Sequence, residues 1–290
     1  MPENLRKLAL HGRYRLLKCA RRLCARAGLR RHLNSLESSR VMPTRECPFD
    51  DVTRLIQVFG TPRSGTTLLA SVLNSHAGIL CLSEPFLAFL TGRHFSYNDK
   101  GIEKFSLRSP STFINDFCRR EKRAVAFKET FRIAKDDCYP TEDFIRKNVE
   151  CGVKTIAIFR DPRAAWHSTV NRFDAGDCFP VSPLFLETWN RCVDEWWRER
   201  ANLLTVRYED MVSRPDEMIE LLWRFLGVSN ENCPPYLSPI SGKGDARGRQ
   251  GNTIDTLSVH KWHGMPPQAR DQITAVCGEG MQELGYLNSA

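Results

Sequence analysis

One segment constrains this chain more than any other: Leu55-Ile56-Gln57-Val58-Phe59-Gly60-Thr61-Pro62-Arg63-Ser64-Gly65-Thr66-Thr67-Leu68-Leu69. An apolar run of strand length enters a turn punctuated by Gly60, Pro62 and Gly65, and the turn opens into a helix. Backbone N–H groups in such a turn and at a helix start have no intrahelical partner, and the helix dipole adds partial positive charge. The segment is therefore built to receive an anion such as a phosphate.

The spelling of the turn narrows the chemistry. A nucleoside-triphosphate loop reads G-x-x-x-x-G-K-[ST]. Gly60, Gly65 and Thr67 fall in that register, but Thr66 stands where the lysine belongs and the charge has moved to Arg63. Loss of that lysine removes the cation that reaches the terminal phosphates, which weakens a kinase or NTPase reading and leaves it as the alternative.

A second anchor follows at Thr155-Ile156-Ala157-Ile158-Phe159-Arg160-Asp161-Pro162-Arg163-Ala164-Ala165-Trp166-His167-Ser168. A near-continuous apolar run, as in a strand buried on both faces, ends at Arg160, with Pro162 near a helix start. Ser168 lies eight residues after Arg160, about two helical turns on, so both can face one anion near the strand end. Asp161 after an apolar strand also imitates the Mg²⁺-binding aspartate of NTPases, although Arg160 beside it opposes the acidic field that such an ion needs.

The first motif resembles the 5′-phosphosulfate loop of sulfotransferases, enzymes that use 3′-phosphoadenosine 5′-phosphosulfate (PAPS). Arg160 and Ser168 resemble the 3′-phosphate site of the same family. Val206-Arg207-Tyr208-Glu209-Asp210-Met211, then Arg214-Pro215 and Leu222-Trp223-Arg224-Phe225-Leu226-Gly227, look like the family's strand-to-helix unit, in which the chain turns at the acidic pair and Tyr208 and Glu209 buttress the core. Ser258-Val259-His260-Lys261-Trp262-His263-Gly264 resembles the late Lys-Trp segment of the tyrosylprotein and related branches, which makes Lys261 a nucleotide contact. Together the motifs span about residues 54–286.

The resemblance implies roles by position. Arg63 neutralises the leaving group, while Ser64, Gly65, Thr66 and Thr67 hold the 5′-phosphate through backbone amides and hydroxyls. Lys128, in Val125-Ala126-Phe127-Lys128-Glu129, matches the lysine that the family places over the sulfuryl group, on a strand expected to neighbour the first. Glu84 in Ser83-Glu84-Pro85 matches the glutamate base of the tyrosylprotein and some bacterial carbohydrate branches; burial beside Phe86 and Leu87 is expected to raise its pKa toward neutrality. Cytosolic members use a histidine base, so His94 and His167 are the alternatives, with His76 closing a helix end. No metal is required. The acceptor is a carbohydrate, tyrosyl or small-molecule hydroxyl, to be met by residues 88–112, 173–184 around Phe173, Phe179 and Phe185, and 229–257.

Periodicity agrees on the fold class. Residues near 54–60, 78–82, 123–128, 153–159 and 203–207 read as short buried strands, and segments near 66–76, 141–150, 162–172, 184–200, 215–227 and 266–284 as helices. The alternation implies an α/β, P-loop-like three-layer fold, a central parallel sheet with helices on both sides. Stretches 88–112 and 229–257 read as irregular, the second rich enough in Gly and Pro to close over a nucleotide.

The charge sits elsewhere. Ten of the 42 Lys and Arg residues lie between Asn4 and Leu36 with no acid among them, leaving 32 bases against 34 acids in the remainder. We divide the chain into a basic amphipathic N-terminal segment, 1–45, and a sulfotransferase-like domain, 46–290. The basic helix reads equally as a membrane-surface element or a helix packed on the domain, with a cleaved transit peptide behind both. With no aromatic platform or named motif beside the charges, nucleic acid is not an expected partner. The chain has no apolar run of 18 residues, and its eleven cysteines form no C-x-x-C pair. A cytoplasmic, soluble or membrane-peripheral protein with thiol cysteines is the expectation. A non-enzymatic membrane adaptor on a decayed fold is a third reading, opposed by intact Arg63, Arg160, Ser168 and Glu84.

Overall fold

The computed structural model describes residues 47, 49–86, 95–96, 102–103, 110–132, 141–173, 178–229 and 259–287. The basic segment 4–36, His94 and most of the stretches 88–112 and 229–257 lie outside them.

The core is a parallel five-stranded sheet in the order β2-β5-β1-β6-β7. Its strands are β1 (Leu55–Gly60), β2 (Ile79–Ser83), β5 (Ala124–Thr130), β6 (Lys154–Phe159) and β7 (Leu204–Arg207). All five were expected from apolar runs, within one or two residues at each end. Two short strands, β3 (Phe95–Ser96) and β4 (Ile102–Glu103), pair antiparallel inside the stretch read as irregular.

Alternation along the strands sends side chains to two layers. Ile56 and Val58 of β1, Ala126 of β5 and Ile156 and Ile158 of β6 face α1 (Thr66–Ser75), α6 (Tyr208–Ser213) and α7 (Pro215–Leu226). Phe59, Ala157 and Phe159 face the opposite way, against α3 (Thr141–Glu150), α4 (Pro162–Phe173), α5 (Pro183–Glu199) and α8 (Pro267–Glu283). At the β2–β5 side, Leu80, Leu82, Val125 and Phe127 pack on α2 (Pro110–Arg120). Helices on both faces are what a parallel sheet requires to bury its apolar strands.

The helix ends follow from local chemistry. Proline opens α5, α7 and α8, where its missing N–H is no loss, and Gly227 in left-handed conformation closes α7, donating to Trp223 and Arg224 carbonyls. Two helices were not anticipated. α2 begins at Pro110, at the end of the stretch read as irregular, and buries Ile114, Phe117 and Cys118. α6 starts where the chain was expected only to turn, with Glu209 and Asp210 in its first turn, where the dipole favours acids. Cys81, Cys118, Cys192 and Cys277 are buried free thiols.

Candidate active site

The register assembles one edge. Gly60 pairs with Thr130, Ser83 with Lys128, and Phe59 with Ala157, so the residues following β1, β2, β5 and β6 all leave at the carboxyl end of the sheet. Ligands bind at that edge in open α/β sheets.

The cradle is the turn between β1 and α1. Ser64 N–H donates to Thr61 O at 3.1 Å, and Arg63 and Gly65 both take positive φ, 68° and 99°. Glycine is obligatory at 65 for a second reason: a Cβ there would lie 2.5 Å from Tyr208 Cδ2. Gly65 also caps α1 without any side-chain hydrogen bond, so the first-turn amides are left to another acceptor. Thr61 Oγ1 and Ser64 Oγ are buried and make no hydrogen bond, and such hydroxyls call for a polar guest. The cradle thus has the form and unmet donors that a 5′-phosphate fits.

Arg63 and Arg160 belong to the same constellation. Arg63 Nε donates to Ser168 Oγ at 3.1 Å, and Arg160 Nη1 donates to the Arg63 carbonyl at 3.4 Å. Arg63 therefore links Ser168 to Arg160, through its side chain on one hand and its carbonyl on the other. The Arg160 guanidinium lies over the Tyr208 ring, 4.3 Å from its centroid, so Tyr208 is the floor under both the glycine of the cradle and the second arginine. Burial lowers the Arg160 pKa, while Tyr208, Glu209 and Asp161 act to raise it.

Asp161 is engaged. Both its carboxylate oxygens accept from Arg163, Oδ2 from Nη2 at 2.6 Å, and its own N–H donates to Glu209 Oε1 at 3.1 Å. A carboxylate closed by a guanidinium is poorly placed to hold Mg²⁺. Arg163 in turn lies 3.9 Å from the centroid of Trp262, which brings the short 3₁₀ segment Lys261–Gly264 against the start of α4. Lys261 is near enough to His167 that, after burial and Arg160, its charge helps to lower the His167 pKa.

On the other side of β1 stand the two groups given catalytic roles. Lys128 is buried, and its Nζ donates to Glu84 Oε1 at 3.1 Å. Thr130 Oγ1 donates to the same oxygen. The Glu84 N–H is fixed to Lys128 O at 2.7 Å, and Glu84 itself has φ 55°, a conformation rare outside glycine. Burial does not lift Glu84 toward neutrality as expected. Desolvation raises its pKa, but Lys128, Thr130 and Arg132 together outweigh it, and the carboxyl falls below its ordinary range.

The remaining candidates divide. His76 closes α1: its Nδ1 accepts from Gly78 N at 3.0 Å and its Nε2 contacts Ser229 O at 2.8 Å, both structural roles. Phe185 belongs to the core, whereas Phe179 is exposed. Three residues at the site carried no clear signal in the sequence. Tyr208 was read as core support, and Glu129 and Thr130 both lay beyond the expected end of their strand, with no role read for either.

Comparison with known proteins agrees with this geometry. The chain is 24% identical over 270 residues to protein-tyrosine sulfotransferase 2 of Gallus gallus, covering 80% of this chain and 69% of that protein. It is 24% identical over 262 residues to protein-tyrosine sulfotransferase 1 of Danio rerio, covering 80% and 72%. Among solved structures, the sulfotransferase domain of the Synechococcus PCC 7002 olefin synthase shares the fold, with a TM-score of 0.51 at 21% identity over 77% of this chain and 94% of that one. The sulfotransferase domain family matches residues 54–285, nearly the whole described region, and the chain belongs to that family.

Proposed function

We propose that this protein transfers the sulfuryl group of PAPS to the phenolic hydroxyl of a tyrosyl acceptor. The observation that supports the donor assignment is the linked set Arg160–Arg63–Ser168, in which Arg160 bonds the Arg63 carbonyl and Arg63 bonds the Ser168 hydroxyl, beside a helix start with no side-chain cap. The tyrosyl acceptor rests on the relatives that the sequence matches.

Thr61, Ser64, the amides of Gly65, Thr66 and Thr67, and Arg63 would hold the 5′ end of the donor. Arg160, Ser168 and Lys261 would hold its 3′-phosphate, which ATP and ADP lack. When bound, PAPS supplies a sulfuryl group joined to a phosphate oxygen. Glu84 accepts the proton of the attacking hydroxyl as the new O–S bond forms. Arg63 and Lys128 stabilise the electron pair left on the departing phosphate oxygen when the old S–O bond breaks. The carboxylate of Glu84 is ionised at neutral pH and ready to accept that proton.

Isothermal titration with 3′-phosphoadenosine 5′-phosphate (PAP) tests the donor site: PAP should bind far more tightly than ADP, and equal affinity for the two would overturn the assignment. Arg160→Ala should weaken PAP binding. Arg63→Ala and Glu84→Gln should each lower turnover of PAPS by roughly 10²-fold or more. Transfer of labelled sulfate to a tyrosyl peptide, set against oligosaccharide acceptors, tests the acceptor; preference for a sugar hydroxyl would replace the tyrosyl reading and keep the donor.

A further inference from the structure

Glu129 is a buried acid at this edge that the reaction as described does not use. It is 2% exposed, occupies the penultimate position of β5, and its Oε1 accepts from the Phe86 N–H at 2.7 Å. Phe86 is also held through its ring, 5.6 Å between centroids from Phe127. The intervening residues are Glu84, with φ 55°, and Pro85. A non-glycine residue at such a φ costs about 1–3 kcal/mol and persists only where its surroundings over-determine it. Here the constraint has two ends: the Glu84 N–H on Lys128 O, and the Phe86 N–H on Glu129.

We propose that Glu129 is a positioning residue for sulfuryl transfer, gripping the Phe86 amide so that the strained Ser83-Glu84-Pro85-Phe86 turn presents the Glu84 carboxylate to Lys128 and Thr130. This rests on the reading of Glu84 as the base. The two acids are driven apart in protonation. Burial and then the negative charge of Glu84 push Glu129 up to about 8, against the Phe86 amide, Lys128 and Arg132, while Glu84 is held down. At neutral pH Glu129 is thus an uncharged carboxyl whose carbonyl oxygen accepts from the amide, and Glu84 carries the only carboxylate charge of the pair. Above about 8 a second negative charge appears beside Glu84, and repulsion works against the turn that both residues hold.

The charged groups known to act on Glu129 are Glu84 from the end of β2, Lys128 from its own strand and Arg132 just beyond it. Glutamine at 129 keeps the accepting oxygen and cannot ionise; alanine removes both. Hydrogen exchange at the Phe86 amide reads the grip directly: Glu129→Ala should speed it by about tenfold or more, and Glu129→Gln should leave it near wild type. With PAPS and a tyrosyl peptide, Glu129→Ala should lower kcat by roughly 10–100-fold with the KM for PAPS unchanged, the scale of a misplaced catalytic group. Glu129→Gln should retain most of kcat near neutrality and lack the alkaline fall expected of wild type around 8. Unaltered Phe86 exchange in Glu129→Ala, or a wild-type alkaline limb in Glu129→Gln, would overturn the proposal. Should Glu129→Ala fail to fold, the glutamine variant's pH profile decides alone. Absence of PAP binding by wild type would sink the donor assignment instead, and the Phe86 exchange arm would still judge the grip.

Discussion

Glu84, the proposed base, is restrained by its partners. Its carboxylate accepts from Lys128 and Thr130, so a proton can be taken up only against those attractions. Burial is the largest single influence and raises the pKa, and Lys128 is the largest of those that oppose it. In Lys128→Ala the Glu84 pKa should therefore rise, and the acid limb of the kcat/KM profile should move to higher pH than in wild type. An acid limb at the wild-type position would show that the lysine does not govern the base. Thr130→Val should act in the same direction and less strongly, because it removes one hydrogen bond and no charge.

At the scale of elements, the site depends on close approach. Gly65 lets α1 begin directly over Tyr208, and a Cβ at 65 would meet both that ring and a forbidden φ. Gly65→Ala should lose PAP binding and also lower the denaturant midpoint by an amount equivalent to about 1–3 kcal/mol. Gly280 plays the corresponding part on the other face of the sheet. In the last turn of α8 it lies against Trp189 of α5, where a Cβ would stand 2.8 Å from Cζ3. On helix propensity alone Gly280→Ala should stabilise by up to about 1 kcal/mol, but overpacking costs about 1–3 kcal/mol. A lower melting temperature is the expected result. The strands and main helices of this sheet were legible because fully buried strands read as unbroken apolar runs and because Pro183, Pro215 and Gly227 punctuate the helices. The α2 helix was not, since Ile114, Phe117 and Cys118 are sparse among polar residues and begin within a stretch without clear period. The cradle and its arginines were legible as local motifs. Glu129, Thr130 and Tyr208 were not, because their parts arise from cross-strand register and from a helix packed beneath the loop, neither of which leaves a local spacing to read.

At the scale of the molecule, stability and catalysis share a titration. Glu129 has its pKa raised from 4.5 to about 8 by folding, so the folded state holds a proton there that the unfolded chain has already released. Its contribution is complete at acid pH and is lost progressively as pH climbs from about 4.5 to about 8. Relative to wild type, Glu129→Gln should therefore gain thermal stability on passing from the acid to the alkaline end of that window, and parallel melting temperatures across it would show that Glu129 does not titrate there. The link from Arg160 through the Arg63 carbonyl, and from Arg63 to Ser168, has an equally broad consequence. The Arg63 guanidinium is engaged with the Ser168 hydroxyl, and the Arg160 guanidinium with the Arg63 carbonyl. Docking is then an exchange of internal bonds for external ones, so calorimetry should register a modest heat, with affinity owed chiefly to water and counterions set free from a prearranged socket.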